Sequence, residues 1–241
     1  MRAGRYVVND NIDRNDLMSY HHGNLKQAIL DRAAEVIARD GIAALSLRAL
    51  SRDLGVSHAA PRNHFADKKD LLAELACRGF ERGVEVMRAG AEAAGDDPVA
   101  RYRALGRSYV RFAREQPSYF RAMNHPEVRS HQNAALEGAR ADFQEALREG
   151  VEQARAAGWH PEADVAALLV FSCAAASGAA DLLSDPLWTA ALGVDDPDAM
   201  ADAVLELVVQ RTQTPAGQVA GSEAAGRPVP KGEKATDEVP S

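Results

Sequence analysis

The stretch Leu45–Phe65, LSLRALSRDLGVSHAAPRNHF, decides the architecture of the N-terminal part of this 241-residue chain. Apolar residues recur at helical spacing up to Leu54, Gly55 follows, and a second short helical run ends near His64. Two short helices joined by a glycine-containing turn form a helix-turn-helix, whose second helix enters a DNA major groove. Gly55 supplies the residue that tolerates a positive φ in such a turn. The stretch predicts a DNA-binding element, with a leucine-rich hairpin of an ordinary helical protein as the alternative.

The same stretch predicts the parts of this element. We expect its small core to consist of Leu47, Leu50, Leu54, Val56 and Phe65. Ser46 and Ser57 stand where N-terminal caps of the two helices are expected. The recognition helix, predicted from Ser57 to near His64, would present to base edges and backbone the side chains of His58, Ala59, Arg62 and Asn63.

Helical periodicity continues on both sides of this element. An amphipathic helix is predicted from Gly23 to Asp40, and Asp67 is expected to cap a long helix reaching about Met87. After a loop at Gly90–Pro98, further helices are expected near 99–115, 118–124, 131–157, 161–184 and 197–212, and no alternating strand pattern is found. The predicted fold is all-α: an N-terminal three-helix helix-turn-helix domain joined to a larger helical domain, with about nine helices in total.

The chain is therefore divided into four parts. Residues 1–18 are expected to form a flexible arm, and residues 19–83 the DNA-binding domain, called the head below, with its helix-turn-helix at about 45–65. Residues 84–212 are expected to form the effector-binding and dimerisation domain, called the body. Residues 213–241, rich in Gly, Pro and charge, are expected to be disordered.

Charge and composition are compatible with this division. The formal net charge is −7, but the head carries a net charge of +2 and residues 84–241 carry −9. Because phosphate contacts depend on the local field, an acidic body does not exclude DNA binding by the head. The N-terminus lacks the apolar stretch of a secretory signal, and two cysteines are too few for a disulfide framework. We therefore expect a cytoplasmic protein.

Four short motifs resemble the DNA-binding domain of the tetracycline-repressor (TetR) family, in the order and with the spacing of that family. They are YHHGNL at 20–25, SLRAL at 46–50, GVS at 55–57 and HFADK at 64–68. The resemblance implies that backbone phosphates are held by Ser46, Arg48, Ser57, His64 and Lys68, with His58 and Ala59 nearest the bases. Arg62 stands where family members usually carry a tyrosine that contacts phosphate. Arginine keeps a phosphate partner and could also reach guanine.

The body resembles the regulatory domains of the same family through the run YVRFAREQPSYFRAM at 109–123. Ser177-Gly178 stands where the most similar branch carries a His-Gly pair. The resemblance implies a homodimer formed by the helices near 161–184 and 197–212, to which Val204, Leu205, Val208 and Val209 would contribute. It also implies a pocket for a small-molecule effector of unknown identity. Candidate lining residues, each of which could instead be ordinary core, are Tyr102, Tyr109, Phe112, Phe120, Met123, Phe143, Trp159, Phe171 and Cys173.

Taken together, these patterns predict a ligand-responsive repressor that binds a pseudo-palindromic operator as a dimer. The alternative is a helical protein–protein adaptor that has lost specific DNA binding. An enzyme is not expected, because no nucleophile with an adjacent base and no phosphate-binding loop is found. Neither a cofactor nor a metal is expected, since the spacings of His125, His131, His160 and Cys173 fit no metal motif. The uncharged run Val165–Ala180 is shorter than the roughly 20 residues of a membrane span, so we expect no membrane contact.

Overall fold

The computed structural model describes residues 25–131 and 133–210, and all regular structure within those residues is helical. The α-helices are α1 Leu25–Asp40, α2 Leu47–Asp53, α3 Lys68–Ala93, α4 Pro98–Glu115, α5 Pro117–Asn124, α6 Pro126–Arg129, α7 Ala134–Ala156, α8 Val165–Ser184, α9 Pro186–Ala191 and α10 Pro197–Val209. Two 3₁₀ segments, Ile42–Ala44 and Ala60–Asn63, lie on either side of α2. The predicted all-α architecture is confirmed. The predicted arm and tail lie outside the described residues.

The described part of the head is built on α1, which buries the stripe Ile29, Leu30, Ala33, Val36 and Ile37. Each of the other four lies three or four residues from Ala33, so the five share one face of the helix. That face packs with Leu50 of α2 and with Leu71 and Leu75 at the start of α3 in one apolar core. The apolar core of the head is therefore continuous with that of the body along α3.

The recognition element differs from its prediction. A 3₁₀ segment, Ala60–Asn63, replaces the α-helix expected from Ser57, and Ala59 rather than Ser57 is its N-terminal flanking residue. Pro61 explains the difference, because proline has no N–H and its ring clashes with the carbonyl four residues earlier. The Ser57 carbonyl instead accepts the N–H of Ala60 at 3.1 Å. Ser46 does precede α2, but its side chain makes no capping hydrogen bond.

The long helix α3 joins the head to the body. Asp67 caps it as predicted, with its carboxylate accepting the backbone N–H of Asp70 at 2.9 Å. The helix continues to Ala93, so the predicted end near Met87 and the predicted loop start at Gly90 are both too early. Because α3 is continuous through residues 83 and 84, the boundary between head and body stays a prediction. Gly79 lets α5 approach closely, since a Cβ there would lie 2.8 Å from Cγ of Met123.

Aspartate and asparagine caps explain why several body helices begin where they do. The carboxylate of Asp97 caps α4, that of Asp164 caps α8 and that of Asp196 caps α10, while the Asn133 side chain caps α7. Each side-chain oxygen accepts a backbone N–H that has no partner within the helix. The predicted helix 131–157 begins at Ala134 for this reason, and the predicted helix 161–184 begins at Val165. The short helices α6 and α9 were not predicted.

One face of α8 and α10 is apolar and exposed. It comprises Val170, Phe171 and Leu182 of α8 with Met200 and Leu207 of α10. By length and composition α8 could cross a membrane, but it packs against α4, α7 and α10 and carries Ser172 and Ser177 inside that packing. An apolar helix face left uncovered on a packed protein is typical of a protein–protein contact surface.

Candidate nucleic-acid interface and effector cavity

The helix-turn-helix is held by a small core and by the hydrogen bonds of its turn. Leu45, Leu50 and Phe65 are almost fully buried. At the end of α2, Gly55 adopts φ 67°, and the N–H groups of Gly55 and Val56 donate to the carbonyls of Arg52 and Ser51. This pattern is the Schellman termination, which satisfies the last carbonyls of a helix. The predicted turn residue is confirmed, whereas the predicted core residues Leu47, Leu54 and Val56 are only half-buried.

Two side-chain contacts attach α2 and the recognition segment to the rest of the head. The Arg32 guanidinium of α1 donates to the Asp53 carboxylate at 2.8 and 3.1 Å, which fixes the end of α2 against α1. The Lys26 ammonium lies 5.9 Å from the ring centroid of Phe65 and 3.1 Å from a Glu74 carboxylate oxygen. These contacts link α2 and Phe65, which follows the recognition segment, to α1.

Eight of the nine residues predicted to contact DNA are exposed, and Lys68 is half-buried. Ser46 and Arg48 lie at the start of α2, and Ser57, His58 and Ala59 lie in the turn before the recognition segment. The segment and the bend after it carry Arg62, Asn63 and His64, and Lys68 begins α3. The nine residues predicted to contact DNA thus lie in the turn, in and just after the recognition segment, and at the starts of α2 and α3.

The cations of the head divide into two groups. Arg32, Arg39 and Lys26 form ion pairs with carboxylates of the head itself. Within the described residues Arg48, Arg62, Lys68, Lys69 and Arg82 form none, and the first four lie on the helix-turn-helix or at the start of α3. Unpaired cations on one surface are the electrostatic requirement for holding phosphates. Lys69 was missed by the sequence analysis, although its place next to Lys68 at the start of α3 could have indicated it.

The body contains a small cavity of about 60 Å³ between α4, α7, α8 and α10. Among the residues that line it are four of the nine predicted aromatic and sulfur-containing candidates: Tyr102, Tyr109, Phe143 and Cys173. Phe112, Phe120 and Met123 belong to the apolar core, and Trp159 is fully buried against Tyr102, with ring centroids 5.1 Å apart. Phe171 is 53% exposed and points away from the cavity lining. Leu205, Val208 and Val209 line the cavity instead of the outer surface predicted for them.

The polar groups of the cavity are hydroxyls. Burial raises the pKa of Tyr102 to about 12 and also raises the pKa of Tyr109. The Tyr109 hydroxyl lies 3.4 Å from Oγ of Ser177, the residue that replaces the His of the resembling branch. Sequence reasoning missed Ser172 and Ser177 as lining residues. Ser172 lies four residues before Ala176, and Cys173 four before Ser177, a spacing that could have indicated a shared face of α8.

An ion-pair ladder closes one side of the cavity by joining α4 to α10. Arg103 pairs with Glu206, Arg107 with Asp202, and Arg114 with Asp198. The acidic partners are four residues apart on α10, so they follow one face of that helix. Within the described residues, no group of three or more His, Cys, Asp or Glu side chains is placed to hold a metal ion.

An exposed helix-turn-helix with unpaired cations, joined through a long helix to a larger helical body, is the architecture of a DNA-binding regulator. Comparison with known proteins places this architecture in a family. Residues 29–75 match the family described as "Bacterial regulatory proteins, tetR family", and residues 102–208 match "Tetracyclin repressor-like, C-terminal domain". The chain belongs to the TetR family, which is a family of transcriptional regulators and not of enzymes.

Individual relatives agree with this assignment. The chain is 34% identical over 106 residues to the uncharacterized HTH-type transcriptional regulator YobS of Bacillus subtilis, a match that covers 44% of this chain and 54% of that relative. The match thus spans about half the length of that curated relative. A solved structure of a protein of unknown function from Rhodococcus sp. RHA1 is 31% identical, with a TM-score of 0.63, over 79% of this chain and 98% of that one. The TetR-family regulator PfmR of Thermus thermophilus shares the fold at 24% identity and a TM-score of 0.55, over 75% and 96% of the two chains.

Proposed function

We propose that this DNA-binding regulator is a cytoplasmic homodimeric repressor that leaves a pseudo-palindromic operator when a small molecule enters the body cavity. The observation that carries the proposal is the surface of the helix-turn-helix, where Arg48, Arg62, Lys68 and Lys69 have no ion-pair partner among the described residues. Each such cation can replace a condensed counterion on DNA, and the released counterion favours binding. Repression is proposed because it is the common mode of the family.

Dimerisation supplies the second recognition segment. The exposed apolar face of α8 and α10, with Val170, Phe171, Met200 and Leu207, is the surface we assign to the dimer contact. A two-fold dimer would place the two segments about 34–36 Å apart, one turn of DNA, and would read a symmetric site. The residues assigned to phosphates are Ser46, Arg48, Ser57, Arg62, His64 and Lys68, with His58, Ala59 and Asn63 facing base edges.

Effector release would act through helices that touch both the cavity and the head. Phe143 lines the cavity and packs edge-on against Phe80 of α3, with ring centroids 5.4 Å apart. Since α3 begins at the DNA face, a ligand that moves Phe143 would also move the start of α3. The coupling needed is modest, typically about 1–3 kcal/mol.

The proposal is tested by fluorescence anisotropy of a labelled fragment from the protein's own promoter region, across a salt series. We expect tight, sequence-selective binding with a steep salt dependence, and Arg62→Ala should weaken binding and reduce the salt slope by about one. Arg39→Ala is the matched control, because Arg39 lies in the same head but is bonded to Asp40 at the far end of α1. Equal, weak binding to random DNA and to every native fragment would favour the adaptor alternative. An unchanged salt slope for Arg62→Ala would remove Arg62 from the phosphate contacts.

A further inference from the structure

We infer that the short helix α9 forms a second contact between the two copies of the dimer, at the end of the body that adjoins the heads. The inference rests on the proposed function, because it adds a surface to the proposed dimer. This surface, called the α9 patch below, consists of Leu187, Trp188 and Leu192, the last lying just after the helix. The three residues are 80%, 51% and 58% exposed. They belong neither to the apolar core nor to the cavity lining.

Helix α9 has no core of its own. None of its six residues is buried, and it packs mainly on α8. Residues 186–194 carry no charge. A helix this short is marginal in water unless tertiary contacts stabilise it. Since the described residues of one copy leave the α9 patch in solvent, we expect a partner surface to cover it.

A second copy of the chain offers the apolar surface that the α9 patch needs. Among the described residues, all eight exposed large apolar side chains lie between Val170 and Leu207, on α8, α10 and the α9 patch. A two-fold interface pairs the same region of both copies, so one contact can cover all of these side chains. An uncharged patch offers no electrostatic attraction to a nucleic acid or to a charged peptide. The second copy is therefore the occupant to which we assign the α9 patch.

The available apolar area agrees with this assignment. Stable protein–protein interfaces bury about 800 Å² per partner. If a fully exposed large side chain presents about 200 Å², the five exposed apolar side chains of α8 and α10 present roughly 500 Å². On the same scale the α9 patch adds roughly 400 Å². The two surfaces together reach the area of a stable interface, which the large side chains of α8 and α10 alone do not.

The α9 patch lies at the end of the body that adjoins the head. Asp185 and Pro186, where α9 begins, line a cleft together with Ile42 of the head and Arg121 of α5. The Arg121 guanidinium in turn donates to the carbonyl of Ile37 in α1. The start of α9 is therefore close to the junction of body and head.

The symmetry of the proposed dimer brings the two α9 patches near each other. Both heads must face the same DNA, so the two-fold axis runs from the bodies toward the heads. The head-adjoining ends of the two exposed faces then meet across that axis. A contact at this end lies nearest the DNA and restricts the distance between the two recognition segments.

The first test measures whether Trp188 is covered in the dimer. Trp159 and Trp188 are the only tryptophans of the chain, and Trp159 is fully buried. In the full-length Trp159→Phe variant, quenching of the fluorescence by acrylamide reports Trp188 alone. We expect weak quenching at concentrations where light scattering gives a dimer, and much stronger quenching on dilution to monomers. The difference in emission between the wild type and Trp188→Phe gives the same information with the core unchanged.

The second test measures the strength of the contact. We expect Leu187→Asp combined with Leu192→Asp to raise the dissociation constant of the dimer at least about tenfold, because the contact would bury carboxylates without partners. Ala135→Asp combined with Ala141→Asp is the matched control, since it adds the same charge at exposed positions of α7. Sedimentation equilibrium measures the dissociation constant, and circular dichroism checks that each variant is folded. The control should dimerise like the wild type.

Three results would each overturn the inference. They are a Trp188 that is quenched equally in dimer and monomer, a Trp188 that is shielded in the monomer, and a dimer unaffected by the two aspartates of the α9 patch. Binding to the promoter fragment is measured on the same wild-type samples. Selective DNA binding by a dimer with an exposed Trp188 removes the inference alone. A dimer with a covered Trp188 that binds no DNA selectively removes the proposed function alone.

Discussion

Gly55 and Gly138 are two glycines at which an added Cβ meets no atom within 4 Å, so only their backbone conformation separates them. Gly55 adopts φ 67°, whereas Gly138 lies inside α7. An L residue in the left-handed region is unfavourable by about 1–2 kcal/mol, whereas alanine inside a helix is favoured over glycine by about 0.5–1 kcal/mol. We expect Gly55→Ala to destabilise the protein and Gly138→Ala to stabilise it by about these amounts, measured by urea denaturation. If both substitutions raised the free energy of unfolding, or both lowered it, the explanation from backbone conformation would be contradicted.

Tyr102 makes the stability of the body depend on alkaline pH. Its pKa rises from 10.0 to about 12 on folding, because burial disfavours the phenolate. Below pH 10 the Tyr102 hydroxyl is neutral in both the folded and the unfolded state, so its contribution to the free energy of unfolding does not change with pH. Between pH 10 and 12 the unfolded chain ionises first, so stability falls as pH rises. Between pH 9 and pH 11 the free energy of unfolding of the wild type should fall by about 1 kcal/mol more than that of the Tyr102→Phe variant.

Denaturation with urea at the two pH values measures this difference. Tyr102→Phe keeps the ring that packs against Trp159, so any difference belongs to the hydroxyl. Tyr119→Phe, a half-buried tyrosine outside the cavity lining, is the control and should follow the wild type. If the free energy of unfolding falls by the same amount in the wild type and in Tyr102→Phe, the Tyr102 hydroxyl is not the group that titrates.

Helices α5 and α1 are joined by one side chain that crosses from the body to the head. The Arg121 guanidinium of α5 donates to the carbonyls of Ile37 and Ala38 at 2.6 and 3.2 Å, near the C-terminus of α1. The C-terminal end of a helix carries a partial negative charge and attracts cations. This contact is a second route, beside α3, by which the body can hold the orientation of the head.

Removing that contact should loosen the end of α1. We expect Arg121→Ala to cost about 1 kcal/mol of unfolding free energy and to speed amide exchange selectively in the last turn of α1. Hydrogen exchange followed by mass spectrometry separates the overall loss of unfolding free energy from the local increase in amide exchange at the end of α1. Arg129→Ala on α6 is the matched control, because the exposed Arg129 side chain makes no hydrogen bond or ion pair within the described residues. Uniform exchange changes over both domains would contradict a local contact.

The helix pattern was predictable where its causes are local. Asp67 and Gly55 act on backbone groups two to five residues away, so their roles follow from the sequence alone. The recognition segment was predicted wrongly although its cause is also local. Pro61 prevents the hydrogen bond that would have started an α-helix at Ser57.

The exposed face of α8 and α10 is the proposed dimer contact. Phe171 and Leu207 are 53% and 68% exposed, so a charged residue at either position disturbs little of the described packing. We expect Phe171→Glu combined with Leu207→Glu to convert the dimer to a folded monomer, because two carboxylates would be buried without partners in the contact. Size-exclusion chromatography with light scattering measures the mass, and operator affinity should fall with it.

Ala141→Glu is the control for this prediction. Ala141 is exposed on α7, so the same charge is introduced away from the proposed contact. The control should remain a dimer with unchanged circular dichroism. A double variant that stays dimeric would move the interface to another surface of the body.

What the sequence determined by itself is the class of the fold and the position of the helix-turn-helix. Apolar periodicity, a glycine that takes positive φ and helix-capping side chains act within a few residues, and the motifs at 46–68 lie in one continuous segment. The tertiary structure alone decided which apolar side chains face the cavity, the core or solvent. Leu205 and Leu207 are two residues apart on α10, yet one lines the cavity and the other is exposed. Tyr109 and Ser177 meet across 68 residues of sequence. Such contacts depend on how α4, α8 and α10 pack together, and helical periodicity identifies an apolar face without identifying the helix that covers it.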